Sequence, residues 1–301
     1  MIRAVNLIKR FRRFEALKGL SLNVPDGSAY ALIGSNGAGK TTAIRILMNL
    51  SQATEGTATV LGVDSRAISP RELCQIGFVA ESQRLPAGLS TAQYLDYLRP
   101  FYGEGWDRDL ETALLRQMRL PRERKIGHLS HGMRMKFALV CALAFRPRLL
   151  VLDEPLSGLD PLIRDEFMQG LAEQAGETTI LLSSHEMNEI EGLVTHVGFI
   201  EDGRMLFEEG MTGLAGRFRQ VCVTLAREAV RPSVAPAEWV DMRAAGNVLT
   251  FVDTRFSESG LGERVRAVIE GVRDIDTEPM ALRSIFTAMA RRAAAATGSE
   301  L

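Results

Sequence analysis

Long apolar runs are missing from this 301-residue chain: the longest, Phe137 to Phe145, has nine residues, against the roughly 18–20 that a helix needs to cross a bilayer. No segment is therefore expected to span a membrane. Cysteine is scarce as well. Cys74, Cys141 and Cys222 lie far apart and match neither zinc-ligand spacing nor a disulfide framework, which fits a reducing compartment and small buried hydrophobes. Charge of one sign is not in excess: 36 basic side chains face 37 acidic ones, a net charge of -1. That balance gives no electrostatic case for nucleic acid, which is not an expected partner. Met1 to Arg13 has no apolar core ending in small residues, so a secretory signal is not expected and the cytosol is the expected compartment.

What is present is an ordinary globular composition, with 46% hydrophobic and 24% charged residues, enough for one large or two modest domains. The run Ser28 to Ile33 ends at Gly34, and Lys40 to Leu50 follows with Ile44, Leu47 and Met48 at helical spacing, which reads as strand, glycine loop, helix. Further apolar strands are expected at Leu149 to Leu152 and Thr179 to Ser183. Without alternation, and separated by helical stretches, they predict a parallel sheet covered on both faces. Thr91 to Arg146 carries the stripes Tyr94, Leu95, Leu98 and Leu110, Leu114, Met118, which predict an inserted helical subdomain at about 90–146.

After Gly210 the pattern changes. Strands are expected at Val221 to Leu225 and Asn247 to Val252, and a helix on Leu261, Val265, Val268, Ile269 and Val272. All five lysines precede this region. The composition shift sets domains at 1–215 and 216–301, with a frayed tail from Ala293 to Leu301. The fold class expected is α/β, a P-loop NTPase core with the inserted helical subdomain and a small C-terminal α+β accessory domain.

Gly34-Ser35-Asn36-Gly37-Ala38-Gly39-Lys40-Thr41 matches a phosphate-binding loop, in which glycines let backbone N–H groups wrap nucleotide phosphates at a helix N-terminus. Lys40 is expected to reach the outer phosphates and the Thr41 hydroxyl to coordinate magnesium. The strand ending in Asp153-Glu154 supplies two carboxylates pointing in different directions. Asp153 is assigned to the metal through water, and Glu154 to the attacking water as general base.

In this order the motifs resemble the nucleotide-binding subunit of ABC transporters along nearly the whole chain. GSNGAGKT (Gly34 to Thr41) is similar to Walker A, LLVLDEP (Leu149 to Pro155) to Walker B with the catalytic glutamate, and SGLD (Ser157 to Asp160) to the D-loop. The resemblance extends the nucleotide-binding set to Thr42 and Asp160, makes His185 the switch histidine on the terminal phosphate, and puts Phe11 on the adenine. LSHGM (Leu129 to Met133) stands at the signature LSGGQ, with Ser130 and Gly132 retained and His131 and Met133 departing. His131 either adds a titrating charge near phosphate or points to solvent. The family's glutamine-bearing loop falls at Gly77 to Gln83; Glu81 takes its metal-sensing role here, with Gln83 as the alternative. His128, Trp106, Trp239 and His196 are read as packing residues.

Met280 to Phe286 resembles the closing helix of ATPases that pair with ABC-2-type permeases, with Leu282, Ile285, Phe286 and Met289 as its buried stripe. The C-terminal segment is read as a packing or dimer-stabilising appendage, with regulation as the alternative. The resemblance implies an ATP-hydrolysing motor subunit of an exporter, using ATP and Mg2+, peripheral on the cytoplasmic membrane face. Its implied partners are a second ATPase, identical or not, and a separate ABC-2-type permease. The alternatives are a soluble ABC ATPase acting on ribosomes or nucleic acid, and a slow regulatory P-loop ATPase. The single set of motifs, and only 89 positions between Lys40 and Leu129, weigh against the ribosomal and chromosomal types.

Overall fold

The computed structural model describes residues 1–187 and 190–297. It divides into two compact units, Met1–Glu208 and Glu209–Leu301.

The first unit holds a parallel core of strands that are apolar on both faces. β3 (Ala29–Ile33), β7 (Leu149–Leu152) and β8 (Thr179–Ser184) are buried throughout. They join β6 (Ile76–Val79), β9 (His196–Glu201) and β10 (Arg204–Gly210) in the order β10-β9-β3-β8-β7-β6. The three expected strands thus appear within a residue of their expected bounds. α1 (Lys40–Leu47) is three residues shorter than expected, because Met48 caps it and Asn49 turns the chain out at φ 56°.

A second, antiparallel sheet was not foreseen. Its order is β2-β1-β4-β5, from β1 (Ile2–Phe11), β2 (Phe14–Val24), β4 (Glu55–Val60) and β5 (Val63–Asp64). Leu7, Leu20, Leu22 and Val60 from this sheet share a core with Ala43, Ile44 and Leu47 of α1. β1 hides its alternation: the register shifts between Ala4 and Leu7, where Asn6 adopts φ 52°, and a bulge of this kind breaks the two-residue period.

The short α2 (Pro70–Leu73) precedes β6, and three helices follow before β7: α3 (Thr91–Tyr102), α4 (Arg108–Gln117) and α5 (His131–Leu143). Buried Glu111 ties the first two together, accepting from Arg99 Nη2 at 2.8 Å and Trp106 Nε1 at 2.9 Å. α6 (Pro161–Ala172) completes the helices used here in this unit.

The second unit begins seven residues earlier than the composition shift implied. α7 (Met211–Arg217) belongs to it: Arg217 pairs with Glu209 at 2.8 Å, and its carbonyl accepts from Phe256 N at 2.9 Å. The sheet order is β12-β13-β11-β14, built from β11 (Arg219–Leu225), β12 (Trp239–Ala245), β13 (Val248–Asp253) and β14 (Val272–Pro279). β12 and β14 were missed. α8 (Leu261–Val268) is shorter than expected: Gly271 at φ 73° ends the connection, and Val272 opens β14 instead of closing the helix. Val221, Val223, Leu249, Phe251, Leu261 and Val265 form the core between α8 and the sheet. α9 (Leu282–Thr297) contains most of the expected frayed tail, whose last four residues lie outside the described residues. Its buried stripe is Leu282, Ile285 and Ala288; Phe286 and Met289 are half-buried, correcting the expected set.

Candidate nucleotide site

The site forms where three parallel strands end beside the glycine loop. β3 delivers Gly34 to Gly39, β7 delivers Asp153 and Glu154, and β8 delivers Ser183 and His185. Two glycines are sterically required. A Cβ on Gly34 would lie 2.2 Å from Ile200 O, and Gly39, at φ 110°, would place one 2.8 Å from Ala16 O.

Lys40, Asp153 and Glu154 are 5%, 4% and 7% exposed, so their charges depend on one another. Lys40 Nζ donates to the carbonyls of Gly34 at 2.7 Å and Ser35 at 3.0 Å, and stands 3.0 Å from Glu154 Oε1. That carboxylate oxygen is buried and accepts no aligned hydrogen bond. Glu154 Oε2 lies 2.8 Å from His185 Nδ1. Glu154 also sits at φ 48°, a strained conformation of the kind found at functional sites.

Asp153 Oδ1 accepts from Thr41 Oγ1 at 3.0 Å and Ser183 Oγ at 2.8 Å. Burial pushes the Asp153 carboxyl up, against these two hydrogen bonds that pull it down. Ser183 also accepts from Glu154 N at 2.9 Å, so one hydroxyl orients both carboxylate residues. The sequence reading passed over Ser183 as a strand residue. Its signal was a hydroxyl inside a wholly buried apolar strand, two residues before His185.

A cleft of about 480 Å³ opens on this cluster. Of the expected residues, Asn36, Gly37, Gly39, Lys40, Thr41, Thr42, Glu81, Glu154 and His185 line it; Phe14, Ala16 and Ser157 line it unexpectedly. Gly34, Ser35 and Ala38 form the back of the loop; Asp153 stands behind Thr41, and Ser35 Oγ donates to Glu201 at 2.9 Å. Phe11 is not among the residues that line the cleft. It faces Phe14 across the hairpin, with Lys9 Nζ 4.8 Å from its ring centre. β2, carrying Phe14 and Ala16, is the strand that runs against Gly39, so the aromatic at the cleft is Phe14.

Gln83 Oε1 accepts from Ala80 N at 3.1 Å and closes its own turn, while Glu81 lines the cleft. Ser130, Gly132 and Asp160 do not line this cleft. Ser130 caps α5 by accepting from Met133 N, and Asp160 caps α6 by accepting from Ile163 N. Gly132 is pressed against Ile163, where a Cβ would come within 2.7 Å. His131, of its two expected settings, is exposed yet anchored, with Nε2 3.3 Å from the carbonyl of cleft residue Ser157.

The oxygens of Thr41, Asp153 and Glu81 fit a small hard cation. No group of three or more His, Cys, Asp or Glu side chains among the described residues is arranged to hold a metal alone. Such a set suits Mg2+ that completes its shell with phosphate oxygens and water.

Fold and site together define a phosphate-loop nucleotide hydrolase. The sequence pattern of the ABC transporter family matches residues 17–157. Daunorubicin resistance ATP-binding protein DrrA2 of Streptomyces coeruleorubidus is 36% identical over 242 residues, 77% of this chain and 74% of its own. Lantibiotic transport ATP-binding protein SrtF of Streptococcus pyogenes is 33% identical over 71% of this chain and 92% of its own. A dimeric post-hydrolysis ATP-binding cassette bound to ADP and Pi superposes with a TM-score of 0.61 at 25% identity, over 70% of this chain and 99% of that one. The chain belongs to the ABC transporter family. It is an ATP-binding subunit that hydrolyses ATP to drive transport.

Proposed function

We propose that this chain closes with a second ATP-binding subunit, its own copy or a homologue, around two ATP molecules, and that closure drives export through a separate ABC-2-type permease. Reading from the cleft outward, Phe14 stacks on the base and the loop from Gly34 to Thr42 wraps the phosphates. Ser130 and Asp160, which cap helices outside the cleft, and Gly132 in the first turn of α5 face the nucleotide held by the other subunit. Thr41, Asp153 and Glu81 would hold Mg2+, which would neutralise charge on the phosphates.

The observation that carries this reading is the buried set Lys40, Glu154 and His185. Lys40 donates to the loop carbonyls of Gly34 and Ser35 and pairs with Glu154. The Lys40 ammonium attracts phosphate oxygens, and Glu154 beside it is placed to take a proton from water. His185 holds the carboxylate through Oε2 and touches the terminal phosphate.

Drug-resistance and lantibiotic-transport proteins among the relatives support export. Among the described residues no helix is long and apolar enough to cross a membrane, and we place the subunit peripherally on the cytoplasmic face. The test uses Glu154→Gln to trap the ATP-bound dimer, followed by capture from detergent-solubilised membranes and mass spectrometry. Recovery of a protein with several apolar runs of about 20 residues supports the permease; recovery of soluble partners alone overturns it.

A further inference from the structure

The C-terminal unit holds a second concave site that ATP chemistry does not use. The register of β12 with β13 shifts between Val240 and Arg243, and Asp241 sits in that irregularity at φ 48°. Its carboxylate is shared by two guanidiniums, Arg243 Nη2 at 2.9 Å and Arg291 Nη1 at 2.8 Å. These three residues line a cavity of about 310 Å³ together with Arg283, Thr250 and Ser284. Arg283 and Arg291 lie two turns apart on α9. Arg283 has no carboxylate partner among the described residues.

Three guanidiniums and one carboxylate line this concave space, and the positive excess of its lining concentrates anions. The excess extends outward: Arg231 and Arg292 line an adjoining cavity that shares Asp241, Arg243 and Arg291. Composition does not cause it. From residue 209 onward the chain has twelve arginines, no lysine and twelve acidic residues. β12 and β14 are opposite edges of the sheet, and the acids of β14, Asp274, Asp276 and Glu278, lie across it from Arg243, with Glu278 in register with the cavity residue Gln220.

The geometry points to a binding site for a phosphate-bearing anion in this cavity. A phosphate group, as a monoester dianion or a diester monoanion, offers negative oxygens to this lining. Planar guanidinium forks bind phosphate oxygens through paired hydrogen bonds, and the Thr250 and Ser284 hydroxyls supply further donors. Asp241 holds the forks of Arg243 and Arg291 in place while Arg283 remains to meet the ligand. The anion comes either from a soluble phosphate ester or from a lipid headgroup.

The experiment uses the full chain with saturating Mg-ADP to fill the phosphate loop. Inorganic phosphate is titrated by equilibrium dialysis, and co-sedimentation is measured with phosphatidylglycerol and with phosphatidylcholine vesicles. Saturable binding of one phosphate per chain, weakened about tenfold or more by Arg283→Ala and less by Arg283→Lys, supports the site with a soluble ligand. Sedimentation with phosphatidylglycerol alone, lost in Arg283→Ala, supports it with a lipid headgroup. Arg243→Gln, folded by circular dichroism, is expected to match Arg283→Ala. Binding to neither probe, or binding unchanged in both variants, overturns the proposal.

Discussion

The two units of the chain handle charge in opposite ways. In residues 1–208 the charges that matter are buried and mutually committed: Lys40 on Glu154, Glu154 on His185, Asp153 on Thr41 and Ser183. In the C-terminal unit they stand half-exposed around a cavity, with Arg243 and Arg291 sharing a single carboxylate. A buried charge needs a defined partner at every step of a cycle, so such a site is written in short motifs at fixed spacing. A half-exposed cluster is solvated, tolerates distance, and leaves no motif.

The sharpest test of the buried site is Glu154→Gln. Turnover is expected to fall by roughly 10²–10⁴-fold while ATP affinity is retained, measured by single-turnover hydrolysis beside nucleotide titration. Loss of less than about tenfold would place the base elsewhere and remove the contrast between the units. The next largest effect belongs to the C-terminal core. Phe251, 1% exposed and stacked on Trp239 at 4.3 Å, is expected to cost about 3–5 kcal/mol when replaced by alanine. Urea unfolding followed by Trp239 fluorescence measures it.

A smaller effect separates two aromatics of one hairpin. Phe14→Ala is expected to weaken nucleotide binding about tenfold, the scale of one base-stacking contact, while Phe11→Ala leaves affinity unchanged. Titration of a fluorescent ATP analogue distinguishes them, and the reverse result would restore Phe11 to the adenine.

The smallest effect is a pH slope. Burial raises the Asp153 carboxyl above the ordinary aspartate value, so the folded chain binds that proton more tightly than the unfolded one. Stability of the nucleotide-free protein therefore falls as pH rises from the ordinary value through the raised one. Urea melts across that window check the slope, which Asp153→Asn is expected to remove. Hydrogen bonds from Thr41 and Ser183 oppose the burial effect, so Ser183→Ala is expected to steepen it.

The phosphate loop, both carboxylates and His185 were legible because close backbone approach, buried charge and strand ends each demand a residue type at a set position. The parallel strands were legible because their two buried faces leave uninterrupted apolar runs. β1 escaped detection because Asn6 breaks its alternation, and β12 because it is irregular between Val240 and Arg243. Two residues of turn separate Phe11 from Phe14 in sequence, and only the packing of β2 against Gly39 decides which ring meets the cleft.

By itself, then, the sequence determined the phosphate-binding chemistry, the parallel core and the family, since all three rest on local backbone and burial requirements that neighbouring residues must satisfy. Tertiary structure alone decided that Ser183 orients both carboxylate residues and that Phe14 lines the cleft. It also decided that arginines scattered from Arg243 to Arg291 meet around Asp241. Those juxtapositions join positions far apart in the chain, and the physical cause is the pairing of strands and the seating of helices, which no local spacing records.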